Sequence, residues 1–404
     1  MAPGFMELIH GGGYSMIVAA GVTVLGLFAV AVTTQVFGYR LSGTITIPVL
    51  AVYTLKNVVT LPVFVLSTLI AYFGLDLLKK RTLIYGRDEL LAAILIGSAI
   101  PLGLLLLLEA FVAERMRTVL FIGSILPGLA AFNFHQLKPK YRKADIVTSV
   151  ALFAVLTALG VLLVSPELRP VVGSLTPPVL YSETADVARW RGAVVSEQLQ
   201  PIILPRELLV GIFGGALAAS EGIRRRYDVR IGVIAVGLLA VYALASVWLV
   251  VLYVVIFALT YVAISAIHRS TMLYGRVLIG ISAGLGLVAA VPLVLQIPIV
   301  RGLSAYFVAI LAGINAYSAH VTAPKYRVLI PPLQLAAFLP MLAASRYLGT
   351  VLPNGIPQRL SVAELAVGAG IVVVCVAFAE LYTVHRPSDE DVFEASILSG
   401  GGDA

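Results

Sequence analysis

The chain has 404 residues, 60% of them hydrophobic and 12% charged, with a net charge of +7 and a mean hydropathy of +1.00. A soluble domain carries about 25% charged residues, so this composition excludes a soluble enzyme and places the chain in a membrane. The single cysteine, Cys375, excludes an intrachain disulfide and any cysteine-based metal site. The basic residues sit at the ends of apolar stretches rather than in an aromatic-interleaved patch, which speaks against nucleic acid.

Apolar stretches long enough to cross a hydrocarbon core of about 30 Å recur along the whole chain. They predict helices, because each span must satisfy its own backbone polar groups. No alternating strands of about ten residues, as a transmembrane barrel needs, are visible. In chain order the expected spans are 14–37, 42–56, 58–79, 89–109, 117–134 and 145–164. They continue as 206–221, 231–246, 248–267, 277–298, 303–321 and 328–348, with a last one at 361–384. No Lys or Arg precedes the first span, so it lacks the basic start of a secretory signal and is expected to persist. Residues 231–267 form one uncharged run of about 55 Å as a straight helix, too long for one span. A tight hairpin, or a re-entrant half-span followed by a full span, is expected there. In the corresponding turn at 42–79, Lys56-Asn57 supports a hairpin.

The basic clusters are Lys79-Lys80-Arg81 with Arg87, Lys138 to Lys143, Arg224-Arg225-Arg226 with Arg230, Arg269 with Arg276, and Lys325 with Arg327. Placing all of them in the cytoplasm, as the positive-inside rule asks, leaves even numbers of spans between them. The N-terminus is then outside and the C-terminus cytoplasmic. Residues 165–205 become an external Pro-rich linker, in which Val187, Trp190 and Val194 share one face of a short interfacial helix. Residues 386–404 form an acidic cytoplasmic tail with a local charge of −4, from Arg386 against Asp389, Glu390, Asp391, Glu394 and Asp403.

The chain also repeats itself. At an offset of 185, residues 125–142 match 310–327 at nine of eighteen positions, including His135/His320 and a Pro-Lys-Tyr-Arg segment at 139–142 and 324–327. At an offset of 189, residues 43–87 match 232–276 at fourteen of forty-five positions, ending in Tyr-Gly-Arg at 85–87 and 274–276. Such internal similarity organises every other reading. The expected fold is therefore all-α: a polytopic helical membrane protein with two parallel tandem repeats of about six apolar segments each, plus one C-terminal span. The expected units are 1–164, a linker at 165–205, 206–350, an additional helix at 351–385, and the tail at 386–404.

Candidate binding residues follow from the repeat. His135 and His320 could bond a carbonyl at a span end, or carry a proton or ligand; with no acidic or second histidine at helical spacing, a metal is not expected. Lys140, Tyr141, Arg142 and Lys325, Tyr326, Arg327 suit membrane-edge anchoring, or an anion cradle together with Arg87 and Arg276. Tyr85 and Gly86, with Tyr274 and Gly275, mark turns in which glycine permits a positive φ, and could dock a cytoplasmic partner. Gly128 and Gly313 read as close-packing positions, and Pro127 as a possible helix break. Acidic residues within the spans are few, namely Asp76, Glu109, Glu364 and Glu380. No catalytic triad, Walker sequence or paired carboxylate is present. Lys56, Asn57, Asp76, Lys80, Asp88, Glu89, Lys138, Lys143 and Asp145 belong to the first copy, and the second has mostly apolar residues there, although Arg269 and Ser246 keep two positions polar; this suggests that the first copy faces the working surface more and the second is more a scaffold.

Each copy resembles the PgsC/CapC family, the small membrane subunit of poly-γ-glutamate synthases. The resemblance rests on the Leu83-Ile84-Tyr85-Gly86-Arg87 turn after an apolar hairpin, followed by a span and then the Ile125-Leu126-Pro127-Gly128-Leu129-Ala130 frame. It would cover 14–164 and again 206–348. The chain departs from the family in being a tandem fusion, in Ala312 against Pro127, and in Asp88-Glu89 where basic residues are expected. The resemblance implies a chain that is not catalytic by itself and needs no cofactor. Its implied partners are a cytoplasmic ATP-dependent amide ligase, an extracytoplasmic accessory subunit, membrane lipid and an anionic polymer to be elongated or exported. The competing reading is a two-repeat secondary transporter or channel for a small anionic solute, which the scarcity of mid-span polar residues disfavours.

Overall fold

The computed structural model of the chain describes residues 16–109, 125–170, 179–195, 203–229, 231–299 and 301–384. The regular elements among them are all helical. The first half consists of α1 (Met16–Phe37), α2 (Thr46–Lys56), α3 (Thr60–Arg81), α4 (Arg87–Glu109), α5 (Ile125–His135) and α6 (Pro139–Leu163). A short α7 (Asp186–Arg191) lies in the linker. The second half consists of α8 (Arg206–Tyr227), α9 (Val233–Ala243), α10 (Val247–Thr271), α11 (Gly275–Val294) and α12 (Gly302–Val321), then a 3-10 turn (Pro324–Leu329) running into α13 (Ile330–Leu348). A final α14 (Val362–Val384) follows. Each of the thirteen expected spans contains a helix, although residues 14–15 of the first and 117–124 of the fifth lie outside the described residues. Eight of the described helices are long and apolar enough to cross a membrane, so the chain is an all-α polytopic membrane protein.

Local chemistry sets the helix ends. Pro139 opens α6, where its missing N–H costs nothing. Ser361 and Glu364 form a reciprocal capping box before α14: the Ser361 N–H donates to Glu364 Oε2 at 2.7 Å and the Glu364 N–H to Ser361 Oγ at 3.2 Å. Gly86 (φ 61°) and Gly275 (φ 63°) occupy the left-handed region in the two Tyr-Gly-Arg turns, the conformation their spacing predicts.

Both expected hairpins form, and in each the first arm is short. Helices α2 and α9 have 11 residues apiece, about 16 Å of rise against the roughly 30 Å of a hydrocarbon core. In the first half the rest of the crossing is made by irregular backbone. Residues 40 and 41 are tied to Asp145 near the start of α6, and Lys56 reaches the linker beside its far end. From Asp145 to Leu163, α6 rises about 27 Å, so residues 41–45 cover the roughly 11 Å that α2 does not. Such backbone is tolerated at membrane depth only where protein encloses it. Leu41 is fully buried.

The halves pack alike. The pairings α1·α2, α2·α3, α2·α6, α1·α6, α3·α4, α3·α5, α4·α5 and α2·α5 recur as α8·α9, α9·α10, α9·α13, α8·α13, α10·α11, α10·α12, α11·α12 and α9·α12. Gly128 presses onto the backbone of Ala93 and Ile94, and Gly313 onto that of Ser282 and Ala283, positions related by the offset of 189. Gly97 meets Gly128 as Gly286 meets Gly313. Side chains larger than hydrogen have no room at these crossings. Between the halves, α1 packs on α11 and α12, and α8 packs on α4. The first helix of each half thus touches the fourth of the other, the reciprocity of a two-fold arrangement.

The linker folds over the Lys56 end. Lys56 is buried and its ammonium donates to Val179 O at 3.2 Å, Ser182 Oγ at 3.0 Å and Thr184 Oγ1 at 2.9 Å. Tyr181 donates to Leu163 O at 2.7 Å, and burial pushes its phenol pKa up. The face expected for α7 divides: Val187 is buried in this contact while Trp190 is 75% exposed. Docking onto the helix ends, rather than lying flat on a surface, orients α7.

Candidate functional site

The end of the first half opposite Lys56 and the linker gathers polar residues from both halves. After α1, the backbone takes positive φ at three successive residues, Leu41 (47°), Ser42 (56°) and Gly43 (113°). For a leucine and a serine this is sparsely populated and costs of order 1 kcal/mol each. Asp145 holds the turn: its Oδ1 accepts the N–H of Arg40 at 2.7 Å and of Leu41 at 2.9 Å. Asn133, on α5, donates to Leu129 O at 2.7 Å and approaches Ser42 O at 3.4 Å. Its remaining oxygen accepts a hydrogen bond from Arg276 Nη2 at 2.6 Å. Arg276 belongs to the second half, at the start of α11, and reaches into the first. Gly280, one turn further along α11, faces Thr44 so closely that an added Cβ would stand 2.9 Å from its methyl.

Arg276 is thus the one sequence-nominated residue that the structure builds into a seam between the halves. Its Nη1 is buried and finds no partner among the described residues. Arg40 lies near enough for the two guanidiniums to repel, and Asp145 near enough to attract both. Arg40, the left-handed turn and Asn133 were not nominated from sequence. The Tyr39-Arg40 pair between two apolar stretches is the signal that could have found the turn. Asn133 is a polar residue inside an apolar segment, a functional pointer by default.

The other nominated residues lie elsewhere on this edge. His135 stacks on Tyr72 with ring centroids 4.2 Å apart, and its Nε2 lies 3.0 Å from Tyr72 O. His320 instead meets His268, whose Nδ1 is 2.7 Å from His320 Nε2, while Ser265 Oγ lies 3.0 Å from His320 Nδ1. The fold supplies the second histidine that helical spacing does not. Among the described residues no group of three or more possible metal ligands forms. Arg142 and Arg327 turn back onto their own loops, donating to Leu137 O at 3.4 Å and to Thr322 O at 2.9 Å. Lys140 and Lys325 lie over Tyr141 and Tyr326 at 4.7 and 5.1 Å from the ring centroids. Tyr85 and Tyr274 project from the turns, 82% and 81% exposed. Gly86 and Gly275 face open space. Pro127 is the third described residue of α5, and the residues before Ile125, where a helix break at this proline would fall, lie outside the described residues. The side chain of Arg87 lies outside the described residues.

A scan against family models matches residues 25–143 to one described as Capsule biosynthesis CapC. The match supports the PgsC/CapC family over this segment, which is less than a third of the chain. The CapC segment contains Arg40, the left-handed turn, Asn133, and the first Tyr-Gly-Arg and Pro-Lys-Tyr-Arg sequences; Asp145 and Arg276 lie beyond it. The chain is therefore a multi-pass membrane protein with a capsule-biosynthesis family segment. No curated protein and no solved structure matches it.

Proposed function

We propose that the chain is the membrane subunit of a complex that makes and exports poly-γ-glutamate or a related anionic polymer, and that it docks a cytoplasmic ATP-dependent amide ligase. The observation that carries this reading is the CapC match across the helices that build the Arg40–Asn133 edge. The basic span ends face the cytoplasm in this reading, where a ligase works and where each polymer residue brings a carboxylate. The exposed Tyr85 and Tyr274 turns on the same edge suit a docked partner. An extracytoplasmic accessory subunit would meet the linker side.

The chain stands as two CapC-like units fused in tandem, a covalent counterpart of a two-fold dimer. The recurrent helix pairings, the matched Gly128 and Gly313 crossings and the matched left-handed glycines support this. Deleting the chain from its host is expected to abolish extracellular polymer, and the tagged full chain is expected to co-purify with an ATP-dependent ligase. Undiminished polymer after deletion overturns the proposal. One observation favours the transporter reading: Thr23 Oγ1 and Tyr306 OH meet at 2.6 Å across the seam, beside the buried hydroxyl of Tyr53. Uptake of an anionic solute by the chain alone in proteoliposomes would select that reading.

A further inference from the structure

We infer that Arg276 and Arg40, with the Leu41–Gly43 turn and Asn133, form a binding site for one carboxylate of an anionic chain at the seam between the two halves. This deepens the proposed function and rests on it for the identity of the chain that supplies the carboxylate.

Charge bookkeeping comes first. Among the described residues, Arg276, Arg40 and Asp145 act on one another here, two guanidiniums against one carboxylate. Asp145 is buried, and its Oδ1 is already occupied by two backbone N–H groups, so it is committed to the turn. Arg276 presents a planar fork of donors, of which Nη2 is used by a neutral amide oxygen and Nη1 is enclosed without a partner among the described residues. A buried charged donor left unmade is costly. A carboxylate is the acceptor whose two oxygens match that fork. It would also relieve the repulsion between the arginines.

Backbone geometry points the same way. Three successive left-handed residues, two of them not glycine, are maintained by a dedicated carboxylate and an asparagine. Strain so supported is a marker of a functional site. In the second half Gly232, which matches Gly43, donates its N–H to the amide oxygen of Asn315 at 3.1 Å, where Gly43 stands beside Asn133. Asn133 is 6% exposed and Arg276 sits between the halves rather than on the perimeter, which favours a soluble chain over a lipid headgroup.

The test uses the full chain in phosphatidylcholine nanodiscs, titrated with a γ-linked glutamate oligomer. Arg276→Gln and Arg40→Gln are each expected to weaken binding at least about tenfold. Lys140→Gln with Arg142→Gln, which removes edge charge away from the seam, is expected to change it less than about threefold. If Arg276→Gln does not fold, Arg276→Lys decides, because it keeps the charge but loses the fork; unchanged affinity overturns the site. Equal losses in the Lys140/Arg142 variant also overturn it, leaving diffuse attraction. So does an Arg276-dependent thermal shift seen only in phosphatidylglycerol nanodiscs, which would make this a lipid site. Polymer loss on deletion together with undiminished oligomer binding by Arg276→Gln removes the site and leaves the proposed function standing.

Discussion

The two broken crossings solve one problem with different chemistry. Each begins with irregular backbone, continues as an 11-residue helix and turns into a long helix of at least 22 residues. In the first half the irregular start is strained, charged and held by Asp145. In the second it is held by Asn315, which also donates to Tyr253 OH at 2.5 Å and accepts from Gln334 at 2.9 Å, a neutral network. The histidine edges differ in the same sense. Lys79 pairs with the buried Glu89 at 2.8 Å, and Gln136 donates to the other Glu89 oxygen at 2.8 Å. The corresponding residues of the second half are His268, Leu278 and Val321. At these two matched places the first half uses ionic contacts where the second uses amides, imidazole and apolar side chains. The glycine crossings are common to both halves, whereas these charges are not. Arg276 qualifies the expectation that the second half is more a scaffold, because it serves the first half's turn from the second half.

Substitution at the crossings should have the largest effect and fall equally on both halves. Gly128→Leu and Gly313→Leu are each expected to cost at least about 3 kcal/mol by overpacking backbone against backbone. The assay is the yield of folded protein in detergent, with Gly211→Leu, which faces open space, retained near wild-type level. Loss in only one half would break the shared-frame comparison. Next comes Asp145→Ile, which installs the residue found at the matching position, Ile330. It strands two backbone N–H groups and is expected to cost about 2 kcal/mol, read as a lower thermal midpoint. No change would mean that the turn holds itself.

A smaller effect separates a broken pair from an exchanged one. Glu89→Leu alone is expected to destabilise by about 1–2 kcal/mol. That is less than the roughly 3–5 kcal/mol of a fully enclosed pair, because Lys79 is 35% exposed and can turn to water. Converting Lys79→His, Glu89→Leu and Gln136→Val together should stay within about 1 kcal/mol of wild type, since hydrophobic replacement of a buried pair is often neutral. Smallest of all, Asp76→Asn removes a solvent-exposed pair with Lys80 and should leave the thermal midpoint close to that of the wild type. Thermal unfolding of the four variants in one detergent orders them directly.

Much of this was legible in the chain itself. Hydropathy places the thirteen helical segments, because a span's length and apolarity are local properties. The left-handed glycines follow from Tyr-Gly-Arg between two spans, and the close crossings from glycines among small residues. The α3–α4–α5 edge was partly visible through His135. What helical spacing excluded, the packing supplied: His268 and His320 are remote in sequence yet 2.7 Å apart. Trp190 shows the opposite error, an amphipathic face inferred from spacing and then divided by docking of the linker.

The sequence by itself determined that this is a helical membrane protein, where its helices lie, and that its second half echoes its first. Each of these follows from the cost of leaving backbone groups unsatisfied in hydrocarbon, which acts segment by segment. Only the tertiary structure decided that the second crossing of the first half starts as strained backbone, that Asp145 serves that turn, and that Arg276 crosses the seam to Asn133. Those are contacts between residues more than a hundred positions apart, and no local pattern encodes which distant partner a buried charge will find.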